Sequence, residues 1–134
     1  MFNAKVYKIS VVSLSGMMEE IYATKQTILQ WNQDNAEHTG KMFLIVDGPQ
    51  SADVLVGVVD NRIENKELIV ESLNAGKRVM LFFNAFADPN NTIPNEHTAA
   101  EAFCIQMQQH CFCAEFSRVA QLTKLINEQL DKIS

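Results

Sequence analysis

The chain predicts a doubly wound α/β domain, and three observations predict it. Short apolar runs rich in β-branched residues alternate with amphipathic stretches of helical period. Two of those runs, "KMFLIVDG" (41–48) and "ADVLVGVVD" (52–60), lack the polar alternation of a half-solvated strand, as expected of strands covered on both faces of a mostly parallel sheet. Gly, Pro, Asn and Asp punctuate the boundaries between runs.

The first strand is expected at 5–13, "KVYKISVVS", with Val6, Ile9, Val11 and Val12 as its apolar positions. Ser13, Ser15 and Gly16 follow as a helix-start signal, and Glu19 and Glu20 fall in a first turn, where the helix dipole favours acids. A helix therefore begins near Met17. Its apolar stripe runs through Met17, Ile21, Thr24, Ile28 and Trp31, widened by Met18, Tyr22 and Leu29.

The runs 41–48 and 52–60 are separated by Asp47-Gly48-Pro49, too short a stretch for a crossover helix of about a dozen residues. Two arrangements fit. They form an antiparallel pair, or a short irregular connection leads from a second strand to a third. A second helix covers 65–75 and stops at Gly76, and "VMLFFNAF" is the fourth strand. After the polar loop "ADPNNTIPN", Asn95 and Glu96 cap a third helix through about Gln109, with Ala99, Ala100, Phe103 and Met107 as its core face. "CFCAEF" reads as a fifth strand, and Val119, Leu122, Leu125, Ile126 and Leu130 line one face of a final helix.

These elements make a single α/β domain over 1–134. The predicted architecture is a flavodoxin-like three-layer sandwich: a mostly parallel five-stranded sheet in the order 2-1-3-4-5 with helices on both faces.

Composition excludes some partners. A net charge of −5 with 11 Lys and Arg, never three in a cluster, does not supply the concentrated positive surface that nucleic acid requires. No apolar run approaches the ~20 residues needed to span a bilayer, and the amino-terminal sequence shows no signal-peptide apolar region. A cytoplasmic location is expected. Three cysteines within 104–113 suit a reducing compartment and do not make a disulfide framework. Packed thiols are expected there, because Cys-x-Cys is a poor chelating spacing. No metal and no cofactor are expected, since neither a G-x-G-x-x-G nor a Walker loop is present.

In an open sheet of this order, ligands lie beyond the carboxyl ends of the strands where strand order reverses, here between the first and third strands. Ser13, Ser15 and Gly16 are expected on one side of that crevice and Asp60 and Asn61 on the other, with Asn84 and the loop 87–95 flanking it. Paired carboxylates at such a place can cleave a glycosidic bond. One acts as nucleophile or stabilises an oxocarbenium-like sugar, and the other holds a hydroxyl or supplies a proton. Asp60 and Glu67 are the chosen pair, with Glu64 and Glu71 as competitors. The same acids also describe a solvated helix face, and Asp60-Asn61 a turn.

The segment "SADVLVGVVDNRIENKELIVESLNAGKRVMLF" resembles nucleoside 2-deoxyribosyltransferases, in which an Ala-Asp strand ends on Asp and the next helix carries the catalytic Glu. It is also similar to bacterial TIR-like domains, whose enzymatic members cleave the nicotinamide glycosidic bond of NAD. By this resemblance Asp60 matches the strand-end Asp, Glu67 the helix carboxylate, and Ser13 to Gly16 the first loop. The transferases' Gly-Pro-Phe loop is replaced by Ser15-Gly16-Met17, and their Ser-Gly-Thr by Arg62 to Lys66.

Two functions from different classes follow. One is a nucleoside or nucleotide N-glycosidase or deoxyribosyltransferase; the other is a catalytically silent domain that binds a nucleotide-like ligand or a protein through the same edge. For either, an open sheet edge or the final helix could pair about a two-fold axis into a homodimer.

Overall fold

The structure, a computed structural model, describes residues 5–13, 18–59, 66–84, 102–116 and 118–133. Its elements are β1 (Lys5–Ser13), α1 (Met18–Thr39), β2 (Lys41–Ile45), a 3₁₀ turn (Pro49–Ser51), β3 (Val54–Val59), α2 (Lys66–Asn74) and β4 (Arg78–Asn84). They continue with α3, described over 102–107, then β5 (Phe112–Phe116) and α4 (Val119–Lys132). Expected caps and core positions of α3 at Asn95, Glu96, Ala99 and Ala100 lie outside the described residues.

All five strands are parallel, in the order β2-β1-β3-β4-β5, with helices on both faces: the three-layer, flavodoxin-like arrangement. Register explains the short connection between β2 and β3. β2 pairs with the first half of β1, Lys5↔Lys41 through Ile9↔Ile45, and β3 pairs with the second half, Ile9↔Val54 through Ser13↔Val58. The chain therefore leaves β2 and enters β3 at the level of Ile9. It has only to cross β1, not to return along the length of the sheet, and the 3₁₀ turn makes that crossing without a helix. Of the two arrangements open from sequence, the short irregular connection is the one found.

One core layer packs Ile21, Ile28 and Trp31 of α1 and Leu122, Ile126 and Leu130 of α4 against Ile9, Val56, Val58 and Phe82. The other packs Ile69 of α2 and Phe103, Cys104 and Met107 of α3 against Leu55, Val59, Leu81 and Phe83. With side chains buried on both faces, all six residues of β3 are inaccessible to solvent. Gly57 leaves room for the neighbouring β4 side chain of Leu81, whose Cδ2 would stand only 2.9 Å from a Cβ there.

α2 ends as its sequence requires. Gly76 adopts φ +79°, and the Gly76 and Lys77 N–H groups donate to the carbonyls of Leu73 and Ser72, a Schellman closure. Across the other layer, Trp31 Nε1 donates to Asp131 at 2.8 Å, and Lys41 Nζ donates to the Ile133 carbonyl while lying over the Trp31 ring. These contacts tie the end of α4 to α1 and β2.

Two expectations are corrected. The apolar stripe of α1 is narrower than the pattern suggested, since Met18, Tyr22 and Leu29 are 74%, 67% and 50% exposed. They sit on the helix flank turned away from the core side chains Ile21, Ile28 and Trp31. The cysteines are not all packed thiols, because Cys104 and Cys113 form a disulfide with Cα atoms 6.4 Å apart. The turn after α3, closed by His110 and Cys111 N–H donation to the Met107 carbonyl, folds β5 back beside the helix and brings the two cysteines together.

Candidate functional site at the carboxyl edge of the sheet

β1, β3, β4 and β5 end level with one another: Ser13 pairs with Val58, Val59 with Phe83, and Asn84 with Phe116. From β1 the chain departs to α1 on one face of the sheet, and from β3 to α2 on the other. Opposite departures from neighbouring strands open a crevice between them, which is where ligands of such sheets lie. β2 stops at Ile45, beside Ile9, so among the described residues no strand pairs with the outer edge of β1 from Ser10 to Ser13.

Ser13, at the last position of β1, is partly buried. Glu67 lies in the first turn of α2, directly after the segment that leaves β3. Leu68, Ile69 and Ser72 turn toward the sheet, so Glu67 and Glu71 share the outward face of the helix and are exposed. Asn84 is the last residue of β4, and nothing of its side chain is described. Ser15, Gly16, Asp60, Asn61, Arg62, Glu64 and the loop 87–95 lie outside the described residues. The structure thus brings the ends of β1 and β3 together at the expected switch point, and it sets Glu67 at the start of the following helix.

Pattern reading missed the exposed pair Met18 and Tyr22. They stand one above the other at i and i+4 on the first turns of α1, which begins five residues after Ser13. Their signal was available, since both fall off the three-four spacing of Ile21, Thr24, Ile28 and Trp31.

The disulfide removes Cys104 and Cys113 as thiolate ligands, and among the described residues no three His, Cys, Asp or Glu side chains converge on one point. The remaining thiol, Cys111, is half-buried, and burial pushes it up to about 11. A separate apolar groove of about 630 Å³ runs between α2 and α3, lined by Val70, Leu73, Phe103 and Met107 with Gln106 and His110 at its rim. Leu73 and Asn74 are the last residues of α2, so this groove lies toward the amino ends of β4 and β5, away from the crevice.

No protein-family model matches the chain. A search of curated proteins also returns no match.

Proposed function

We propose that the crevice between the ends of β1 and β3 binds a nucleoside or nucleotide, and that Asp60 and Glu67 act there on its N-glycosidic bond. The observation that carries this reading is the parallel 2-1-3-4-5 sheet, whose switch point falls between Ser13 and Val59, the residue before Asp60. Glu67 opens the next helix on the same edge. In the reaction, the bond between sugar and base breaks, the base leaves with the electron pair and takes a proton, positive charge grows on the sugar, and water or a second base finally bonds the sugar carbon and gives up a proton. One carboxylate attacks or stabilises that charge, while the other holds a sugar hydroxyl or delivers the proton. Ser13, Ser15, Gly16, Asn61 and Asn84 supply polar contacts to the ligand, and no cofactor or metal takes part. The α/β domain carries no helix long and apolar enough to cross a membrane among its described residues. With the chain's acidic balance, we place it in the cytoplasm, acting on a small molecule and not on nucleic acid.

The exposure of Glu67 favours a second reading, in which the same crevice binds a nucleotide-like ligand or a protein without reaction. Incubation with NAD and with a panel of deoxynucleosides, following free base by chromatography, separates the two. The catalytic reading expects base release that Asp60→Asn and Glu67→Gln each reduce by at least ~100-fold with the fold intact. Saturable binding with no base release over the whole panel leaves the silent domain.

A further inference from the structure

The disulfide sits at a place where a change in bonding must be felt by the rest of the domain. Cys104 belongs to α3 and Cys113 to β5, and with Val59, Leu81, Phe83 and Phe103 they enclose a void of only about 10 Å³. Val59 and Phe83 are, respectively, the last residue of β3 and the residue before the end of β4. Reduction removes the covalent tie between α3 and β5 and leaves side-chain packing alone to hold them together. Without that tie, α3 can move relative to β5.

We propose that Cys104–Cys113 is a reversible thiol–disulfide latch that holds α3 against β5 and the carboxyl ends of β3 and β4, and that low-molecular-weight thiols and their disulfides set its state. On opening, a thiolate RS⁻ attacks the sulfur of Cys113, the more accessible of the two, since Cys104 is buried. The Cys113–S–SR bond forms as the Cys104–Cys113 bond breaks, and Cys104 leaves as thiolate and takes a proton. A second RS⁻ attacks the mixed disulfide and releases RS–SR and the Cys113 thiolate, so two electrons pass from two RSH to the protein. Closing reverses these steps with RS–SR as oxidant. Cys111, two residues from Cys113, is half-buried, and the upward push on its thiol slows its exchange into the bond. The reduced cysteines remain small apolar side chains, so the domain stays folded with the latch open.

The test uses the full chain equilibrated in glutathione buffers from fully reduced to fully oxidised, with thiols trapped and counted by mass spectrometry and hydrogen exchange followed by peptide. The expected result is one free thiol, Cys111, when oxidised and three when reduced, interconverting in both directions. Exchange at the amides of Gln108 and Cys111, which donate to the carbonyls of Cys104 and Met107, should rise at least tenfold on reduction while α1 and α4 hold theirs. Cys111→Ser should respond as the natural chain does, and Cys113→Ser should resemble the reduced form under all buffers. Three free thiols in excess oxidised glutathione, unchanged exchange in α3, or equal loss of protection in every helix would each overturn the latch.

Discussion

Asn32 of α1 closes both backbone groups of Phe43 on the outer edge of β2. Its Oδ1 accepts from the Phe43 N–H at 2.8 Å, and its Nδ2 donates to the Phe43 carbonyl at 2.7 Å. Two residues earlier, the Lys41 N–H donates to Thr39 Oγ1. β2 is an edge strand, and an edge strand with free N–H and C=O groups is a template for another chain. The side chain of Asn32 thus supplies, within the molecule, the hydrogen bonds that a partner strand would otherwise make.

Replacing that side chain should expose the edge. Asn32→Ala is expected to cost about 1–2 kcal/mol in chemical denaturation, the loss of two partly buried hydrogen bonds. It should also introduce concentration-dependent association in sedimentation velocity. Asn32→Asp, which sets a carboxylate oxygen against the Phe43 carbonyl in place of the donor, should cost at least as much. Association equal in Asn32→Ala and the natural chain would show that β2 is not guarded by this residue.

Ser10 offers a gain. It is 1% exposed on β1, and among the described residues its hydroxyl has no hydrogen-bond partner. A buried hydroxyl without a partner costs about 1–3 kcal/mol relative to its solvated state. Ser10→Ala should therefore raise stability by about 1 kcal/mol, seen as a higher denaturation midpoint with an unchanged slope. Destabilisation instead would mean that the hydroxyl is satisfied in solution.

Cys111 sets an alkaline signature. Burial raises its thiol from 9.0 to about 11 in the folded chain, so the unfolded chain loses this proton first as pH rises. The folded state binds more protons between about pH 9 and 11, and stability falls with rising pH across that window. Cys111→Ser should remove this part of the slope when the disulfide is kept intact. At pH 8 a thiolate-directed reagent should label Cys111 more slowly in the folded chain than in the denatured chain.

Much of the fold was legible in the pattern, because burial on both faces of β3 leaves an unbroken apolar run and a left-handed Gly76 leaves a helix stop. The relation of β2 to β3 was not legible, since it depends on the stagger of both strands about Ile9, and stagger leaves no mark in composition. Likewise, pairing of Cys104 with Cys113 required the turn that sets α3 beside β5; spacing alone showed only three cysteines close together. The role of Asn32 was hidden for a similar reason, as a polar residue on a long helix reads as solvated until its neighbour is known. At the candidate site, the switch point followed from strand order, and Glu67 falls in the helix turn expected of it. Its exposure agrees with the solvated helix face that Glu64, Glu67 and Glu71 also describe by their helical spacing.

A titration of the ¹⁵N-labelled chain with NAD and with 2′-deoxyadenosine, followed by amide chemical shifts, tests the central claim most directly. The account predicts saturable shifts at Ser13, Val59, Glu67 and Asn84, the residues at the carboxyl edge, with Leu73 and Met107 of the α2–α3 groove silent. Shifts confined to that groove, or none that saturate with either compound, would contradict the assignment of the ligand site to the crevice between β1 and β3.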